Sequence, residues 1–304
     1  MGKKYIDEAM RLNNATYNDY YSRLKMLAIS LFKWEGLEEI GGNEEFLENA
    51  LFKYGRACFV KDKTLGYLTL EAQPNNKVNV YNNPTQIVAT GMNYNKIYEV
   101  DVNCIYIKNN KLTRPTFPTI DLIARRLYEV QRSIDVNTQL LKFPALIEGS
   151  TKTALTLQNL LEQYSGNVPF VFGRKDFSLT DCLKSIQFNI PYNIDKLEIE
   201  KRQIWNECLT YLGIENANTD KKERMITEEI ESNDELTKYY LDCFYRPRQI
   251  ACKKINDLFF EGKEKIKVTI NNEALNLIIK EINDIINMDS YTPTNSNLEG
   301  EENE

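Results

Sequence analysis

A long amphipathic helix is the feature that most constrains how this chain can fold. Apolar residues recur at intervals of three and four from Ile120 to Leu141, which is typical of the buried side of an α-helix. The pattern extends over roughly three heptads, with Asn137 as one polar interruption. Because a residue that precedes proline disfavours the helical conformation, we expect the helix to end at or before Phe143, ahead of Pro144.

A second long helix is predicted over 195–212, and Gly213 is expected to end it. Residues 145–192, between the two helices, have the pattern of a compact insert. The insert is predicted to contain a short strand, a helix and a second strand, at Ala145–Ile147, 156–164 and 168–172. The centre of the chain is therefore expected to be two long helices that flank a small strand-helix-strand element.

The N-terminal part of the chain combines helices with a sheet. A helical period over 17–35 predicts a first helix, for which Gly36 is well placed as a C-terminal cap. A shorter helix is predicted over 44–54. Over 56–108, β-branched residues lie between Asn- and Gly-rich turns, and part of this range alternates between apolar and polar residues. This pattern predicts a small antiparallel sheet or barrel.

The C-terminal part alternates between charged and apolar segments. Residues 216–233 are densely charged and lack a sustained apolar side. Ser232 and Glu235 have capping-box spacing, which predicts the start of a helix that Pro247 breaks or restarts. Beyond it we expect a strand over 265–270, a last helix over 275–285 and a disordered acidic segment over 289–304. The predicted fold class is α+β, mainly helical.

The composition excludes several classes of protein. The chain has no histidine, which removes Ser-His-Asp and Cys-His catalysis and the commonest transition-metal ligand. Its formal net charge of -6 argues against a uniformly basic nucleic-acid-binding surface, so any contact with DNA must be local. The six cysteines are irregularly spaced without a CxxC pair, which favours buried free thiols. No apolar run is long enough for a transmembrane helix.

Two segments could suggest catalysis, and neither has the required pattern. A phosphate-binding loop needs adjacent glycine and lysine after an earlier glycine, whereas Gly149 and Lys152 are separated, which indicates a surface turn. The carboxylates over 228–234 lie along one charged run, whereas a magnesium site draws its ligands from separate elements. We therefore predict that the chain is not an enzyme, with no catalytic residue, no metal ligand and no cofactor.

Cationic side chains are the candidate contacts with DNA. Lys196 lies on the first turns of the second long helix, and Lys221, Lys222 and Arg224 lie in the charged segment that follows it. In a monomer such residues are most simply interpreted as solvated charge. In a ring each position is repeated around the axis, so a few cations per subunit form a belt that contacts phosphates without reading bases.

Several segments carry the pattern of a known family, in the same order along nearly the whole chain. The strongest are Trp205-Asn206-Glu207, Leu212-Gly213-Ile214, Asn216-Ala217-Asn218, Lys221-Lys222-Glu223-Arg224-Met225 and Ser232-Asn233-Asp234-Glu235. On these segments the sequence resembles the upper-collar portal, or head–tail connector, proteins of small podoviruses of the phi twenty-nine-like type.

The resemblance implies a portal fold, in which the chain is a subunit of a dodecameric ring with long stem helices, a small antiparallel β wing subdomain and a strand-helix-strand clip. It assigns the wing to 1–115, stem helices to 116–144 and 193–215, the clip to 145–192, the channel loop to 216–233, further wing or crown helices and a strand to 234–288, and a disordered acidic tail to 289–304.

The resemblance also implies a function without catalysis. Such proteins form a channel at the capsid vertex for DNA packaging, retention and ejection, and they attach the tail. The implied partners are further copies of the chain, double-stranded DNA, the major capsid protein, the scaffolding protein, the packaging ATPase and lower-collar or tail proteins. The expected location is the head–tail junction of the virion, after assembly in the host cytoplasm and without a membrane.

Two departures from the family pattern limit these implications. Members of this type can carry two lysine rings in the lower channel; Lys196 matches one, whereas Gln187 stands at the position of the other, with Lys184 three residues earlier. Members can also have a strongly basic N-terminal arm that binds packaging RNA. This chain begins with only Lys3 and Lys4 before acidic residues, which leaves packaging-RNA binding doubtful.

Two other functions are compatible with the sequence. One is a nucleic-acid-binding adaptor that does not form a ring, and the other is a metal-dependent nuclease that uses only carboxylates and lysines. Ring formation separates the portal from the adaptor, and magnesium-dependent cleavage of DNA would identify the nuclease.

Overall fold

The structure is a computed structural model, and it describes residues 2–142, 145–147, 185–187, 192–214, 227–273 and 275. The chain divides into two compact units. The first unit is formed by Met1–Tyr128 and Gln203–Glu304, and the second by Glu129–Arg202. Helices and antiparallel sheets occur together, as the predicted α+β class requires.

The described helices are α1 (Gly2–Ile29), α2 (Glu44–Tyr54), α3 (Phe117–Lys142), α4 (Ile194–Leu212) and α5 (Thr227–Phe259). The described strands are β1 (Phe32–Glu35), β2 (Arg56–Asp62), β3 (Gly66–Pro74), β4 (Gln86–Gly91), β5 (Tyr94–Glu99), β6 (Cys104–Lys108), β7 (Ala145–Ile147), β8 (Ser185–Gln187) and β9 (Lys267–Ile270). They form a five-stranded sheet in the order β5-β4-β3-β2-β6 and two pairs, β1-β9 and β7-β8.

The five-stranded sheet confirms the antiparallel sheet predicted over 56–108, and its linear strand order makes it an open sheet and not a barrel. One side carries a core of buried residues, Cys58, Val60, Leu70, Ala72, Ile87, Ala89, Tyr98 and Cys104. Strand β2, which lies between β3 and β6, is also covered on its other side, where Phe59 stacks on Tyr67 and contacts the ring of Phe259 edge-on. Burial on both sides explains why β2 reads as a nearly continuous apolar run.

The prediction of a single helix over 17–35 is wrong at both ends, since α1 begins at Gly2, well before residue 17. α1 ends at Ile29, and β1 pairs antiparallel with β9. Phe32 and Trp34 of β1 are buried, whereas the residue after each of them is exposed, which is the period of a strand. Gly36 therefore follows a strand and does not cap a helix; its φ is +76°.

α3 and α4 confirm the two long helices predicted from apolar periodicity. Their buried side chains are Ile120, Ile123, Ala124, Leu127, Val130 and Ile134 in α3, and Ile204, Trp205, Cys208, Leu209 and Leu212 in α4. Gly213 ends α4 with a φ of +77°, as its position after the last periodic residue predicted. A Cβ at Gly213 would overlap the backbone of Leu241 in α5, so this close approach also requires glycine.

α5 corrects two predictions. It begins at Thr227, before the predicted start at Ser232, and it continues through Pro247, which was expected to break or restart the helix. Proline has no N–H to donate to the carbonyl four residues earlier, so tertiary contacts must maintain the helix there. Phe244 and Arg248 are buried on the two sides of the proline and provide those contacts.

Of the predictions for the insert and the C-terminal part, some fall on described residues and can be compared with the structure. β7 confirms the strand at Ala145–Ile147, and its antiparallel partner is β8, with Ala145 opposite Gln187. β9 confirms the strand expected over 265–270. The helix over 156–164, the strand over 168–172, the continuation of the last helix beyond 275 and the acidic segment over 289–304 lie outside the described residues. Among the helices described, none is both long enough and apolar enough to cross a membrane.

A buried ion pair joins α5 to α2 in the first unit. Arg248 donates from Nη2 to Oε2 of Glu48 at 2.6 Å and from Nε to Oε1 at 2.9 Å. Its Nη1 donates to the backbone carbonyls of Asn109 and Phe244, and its Nη2 also donates to the side-chain oxygen of Asn109. Trp34 Nε1 donates to Glu48 at 2.8 Å. All five guanidinium donors thus have acceptors, which compensates the desolvation of the buried charges.

Candidate nucleic-acid interface

Lys196 is the predicted DNA contact that lies within the described residues. It belongs to the first turn of α4, directly after Asp195, and its side chain is exposed. The buried residues of α4 begin further along the helix, at Ile204. Within the described part of the chain, the Lys196 ammonium is in no ion pair, so it is available to an external anion such as a phosphate.

Lys201, on the same helix, has a different environment. Its Nζ lies 2.7 Å from Oε2 of Glu198 and 3.3 Å from Oε1 of Gln131 in α3, and only 13% of its side chain is exposed. The carboxylate neutralises the ammonium, and the two contacts tie α4 to α3 within the second unit. Lys201 therefore supports helix packing, whereas Lys196 points its charge to solvent.

The surface of the two long helices carries both signs of charge. In the first unit, Arg126 of α3 and Glu207 of α4 form an ion pair at 2.7 Å, and both side chains are about half exposed. Such an exposed pair contributes about 0–1 kcal/mol, so it does little to hold the helices together. A mixed surface of this kind can contact a phosphate backbone only weakly, because carboxylates lie beside the cations.

The other three predicted contacts, Lys221, Lys222 and Arg224, lie outside the described residues. α4 ends at Leu212 and α5 begins at Thr227, so the three cations belong to the connection between these helices. Their contact with DNA stays a prediction.

A further group of cations was not identified from the sequence. Lys108 of β6, Lys111 of the loop that follows it and Lys254 of α5 line one cavity in the first unit. No motif connects these positions, and the sheet and the helix that bring them together are distant in the chain. Only the packing of α5 beside β6 places them around the same space.

A strongly perturbed carboxyl group lies at the end of β2. The Asp62 carboxylate accepts from Nζ of Lys96 at 2.6 Å, from the backbone N–H groups of Thr64 and Leu65, and from the hydroxyl of Tyr94 at 2.8 Å. The Lys96 ammonium, with these hydrogen bonds, holds the pKa of Asp62 well below its usual range. Burial, together with hydrogen bonding, raises the pKa of Tyr94. The network joins the β2–β3 turn to β5.

The described cysteines, Cys58, Cys104, Cys208, Cys243 and Cys252, are free. Burial raises the pKa of the Cys104, Cys208 and Cys252 thiols to about 12. These thiols are therefore protonated near neutral pH and are poor nucleophiles. In the part of the chain that the structure describes, no three carboxylate or thiol groups are placed to hold a metal ion together.

Comparison with known protein families gives one match. Residues 3–274 match the family model described as Phage Connector (GP10). The matched range contains all the cations predicted to contact DNA, and it includes every described helix and strand apart from the first residue of α1.

Solved structures of low sequence identity are also similar to the chain. A chain from the portal and tail of native bacteriophage P68 is 14% identical with a TM-score of 0.48, and the alignment covers 94% of this chain and 97% of that one. A chain from the virion of a native gene transfer agent particle is 11% identical with a TM-score of 0.41, covering 91% of this chain and 86% of that one. A chain from the neck of an empty gene transfer agent particle, computed with C6 symmetry, is 10% identical with a TM-score of 0.42, covering 91% and 87%.

Proposed function

The chain belongs to the phage connector family, and on this premise we propose that it is the portal subunit of a tailed bacteriophage. Connectors are structural proteins of the virion, at the junction of head and tail. The proposed portal is a dodecameric channel at the capsid vertex through which DNA is packaged, retained and ejected. The observation that carries this proposal is the family match over 3–274, because it includes the two long helices and the segment between α4 and α5.

In the proposed ring, α3 and α4 are the stem helices. Their length and their buried apolar residues support this role, because a channel wall needs long helices that can pack side by side. The N-terminal helices and the five-stranded sheet form the wing over 1–115, and residues 145–192 form the clip. Residues 216–233 form the channel loop, and residues 234–288 complete the wing and crown.

The proposed contacts with DNA are few and do not depend on base sequence. Lys196 and the cations Lys221, Lys222 and Arg224 are repeated in every subunit, so each position becomes a ring of positive charge in the oligomer. The net charge of -6 per chain keeps the rest of the surface from adding strong attraction. Weak contact suits a conduit, because a strongly adhesive bore would prevent DNA from sliding.

The partners that we propose are further copies of the chain, double-stranded DNA, the major capsid protein, the scaffolding protein, the packaging ATPase and lower-collar or tail proteins. The packaging ATPase supplies the energy of DNA movement, so the portal needs no catalytic residue of its own.

Electron microscopy and sedimentation of the purified full-length chain test this function. We expect closed rings of twelve copies with a central channel, at a sedimentation coefficient far above that of the 35.4 kDa monomer. A chain that stays monomeric over the whole accessible concentration range would contradict the portal and would favour the adaptor that does not form a ring.

A further inference from the structure

A cavity of about 440 Å³ lies in the first unit, between α5, β6 and the loop that connects β3 to β4. This size falls within the range of ligand-binding pockets. The loop that forms one wall is ordered by Asn79, whose side-chain oxygen accepts the backbone N–H groups of Tyr81 at 2.9 Å and Asn83 at 3.0 Å. The hydrogen bonds of Asn79 therefore give this loop a fixed conformation, and the loop forms the wall of the cavity that no helix or strand provides.

Three lysines surround this cavity. Lys254 Nζ lies 2.8 Å from both carboxylate oxygens of Asp101. Lys108 Nζ donates to Oδ1 of Asn83, in the loop between β3 and β4, at 3.0 Å. Lys111 Nζ lies over the ring of Tyr239, 5.7 Å from its centre. An ammonium group has three donors, so these contacts leave capacity for further acceptors. Asp101 is the one carboxylate among the lining residues, so the cavity is locally positive.

The same cavity has an apolar side. Val100, Pro247, Ile250 and Ala251 contribute to its lining. Ile250 is 52% exposed on the surface of α5, although it lies among charged and amide side chains. A ligand that covers Ile250 would remove apolar surface from water, which is favourable by roughly 25 cal/mol per Å².

This combination fits a protein segment better than a DNA duplex. A duplex presents a broad convex surface of phosphates, and phosphates gain nothing from an apolar lining. A segment with one aliphatic side chain and several carboxylates can place the aliphatic side chain against Ile250 and the carboxylates beside the lysines. Opposite charge on the two surfaces then selects such a segment over other peptides.

The chain contains a segment of this composition outside the described residues. Residues 298–302 comprise Leu298, Glu299, Gly300, Glu301 and Glu302. Leu298 is the aliphatic residue of 289–304, and this range has no lysine or arginine. Residues 276–297 connect the segment to Leu275 of the first unit, and they can span roughly 75 Å when extended, which is ample for reaching the cavity.

We propose that residues 298–302 dock in this cavity. Leu298 covers Ile250, and the carboxylates of the segment pair with Lys108, Lys111 and Lys254. Occupation by the chain's own acidic segment neutralises the lysines and shields the exposed isoleucine. A partner protein with a similar acidic segment would have to displace it.

Carbodiimide cross-linking of the full-length chain tests the docking, because the reagent joins ammonium and carboxylate groups that are in contact. We expect links from Lys254 or Lys111 to Glu299, Glu301 or Glu302, identified by mass spectrometry after digestion. The link between Lys254 and Asp101 shows that the reagent reaches the cavity.

The matched control is Lys253, which is exposed beside Lys254 on α5 but does not line the cavity. We expect no link from Lys253 to the acidic segment. Links that join the segment to Lys253 as often as to Lys254 would indicate non-specific attraction and would contradict the proposal.

A second measurement uses the full-length variant Glu299→Gln, Glu301→Gln, Glu302→Gln. The links are lost, and amide hydrogen exchange in the loop at 79–83 becomes faster than in the unmodified chain. Equal exchange in the two proteins would overturn the proposal. Protection of the three lysines from acylation by duplex DNA, with exchange unchanged in the variant, would assign the cavity to nucleic acid and would also overturn it.

Discussion

Arg248 holds several elements of the first unit together through one side chain. Its guanidinium pairs with the carboxylate of Glu48 in α2 and donates to the backbone carbonyl of Asn109, directly after β6. The Cζ atom of Arg248 also lies over the ring of Phe32 in β1, 4.3 Å from its centre. Because Glu48 and Arg248 are 200 positions apart, their pairing specifies where α5 lies on α2.

We predict that Arg248→Met strongly destabilises the first unit. The substitution leaves the Glu48 carboxylate buried without its cation, which costs about 3–5 kcal/mol of the free energy of unfolding. Urea unfolding at a fixed protein concentration measures the loss. The double variant Glu48→Gln, Arg248→Met should recover part of it, because no unpaired charge is then buried. A loss below about 1 kcal/mol in the single variant would show that the pair is not important for stability.

The lowered pKa of Asp62 predicts that the stability of the folded chain depends on pH. Its pKa is lowered in the folded state by the Lys96 ammonium and the surrounding hydrogen bonds. An aspartate in the unfolded chain has a pKa of about 3.9. The network therefore stabilises the folded state fully above that pH, and this stabilisation is lost as the pH falls toward the lower pKa of the folded state. Urea unfolding at pH 5 and pH 3 should therefore show a decrease in stability on acidification.

The matched variant Asp62→Asn separates this effect from that of other carboxylates. Asparagine keeps an oxygen acceptor for the N–H groups of Thr64 and Leu65, but it has no charge to titrate. We expect its stability to fall less steeply between pH 5 and pH 3 than that of the unmodified chain. The same slope in both proteins would contradict the assignment to Asp62.

At the scale of elements, local patterns predicted those helices and strands whose burial follows a simple period. The apolar residues of α3 recur at helical spacing, and the strands of the five-stranded sheet lie between recognisable turns. β1 was missed because Phe32 and Trp34 also fit a helical extension of α1; pairing with β9 decides between the two. Local sequence also gave the wrong result at Pro247. The tendency of proline to break a helix is outweighed there by the burial of Phe244 and Arg248.

The candidate site was predictable only in part, for a related reason. Lys196 could be singled out because it lies at the start of a predicted helix and matches a family position. The environment of Lys201 could not be predicted, because its pairing with Gln131 depends on how α4 packs beside α3. The cavity around Lys254 could not be predicted from the sequence either, because the residues that line it come from separate elements.

The contact proposed for α4 predicts a uniform effect on DNA binding. Lys196→Ala should weaken binding of full-length rings to unrelated duplexes by the same factor, and it should make the binding less dependent on salt, because fewer counterions are released. Fluorescence anisotropy over a series of salt concentrations measures both quantities.

Lys63→Ala is the control for this variant, because Lys63 is exposed in the turn after β2 and is not a proposed contact. Its DNA affinity and salt dependence should equal those of the unmodified chain. Loss of binding to only one DNA sequence in Lys196→Ala would contradict a contact with the phosphate backbone.

At the scale of the whole molecule, the chain has a negative total charge of -6, although exposed cations occur among the described residues. On α4, Lys201 is neutralised by Glu198, whereas Lys196 is exposed and has no ion-pair partner among the described residues. In the proposed ring this difference is repeated in every subunit, so the channel would be positive only at discrete levels. Lys196 belongs to the second unit, and the five-stranded sheet belongs to the first.

The pairing of β1 with β9 has a consequence for biosynthesis. Trp34 lies opposite Val268, so the partner of β1 is translated only after more than two hundred further residues. At about 5–20 residues per second, this delay is roughly 10–50 s. During that time the nascent chain has Phe32 and Trp34 but no strand to cover them, and the first unit cannot close. The first unit of a nascent chain therefore completes the β1–β9 pair only after translation has passed residue 270.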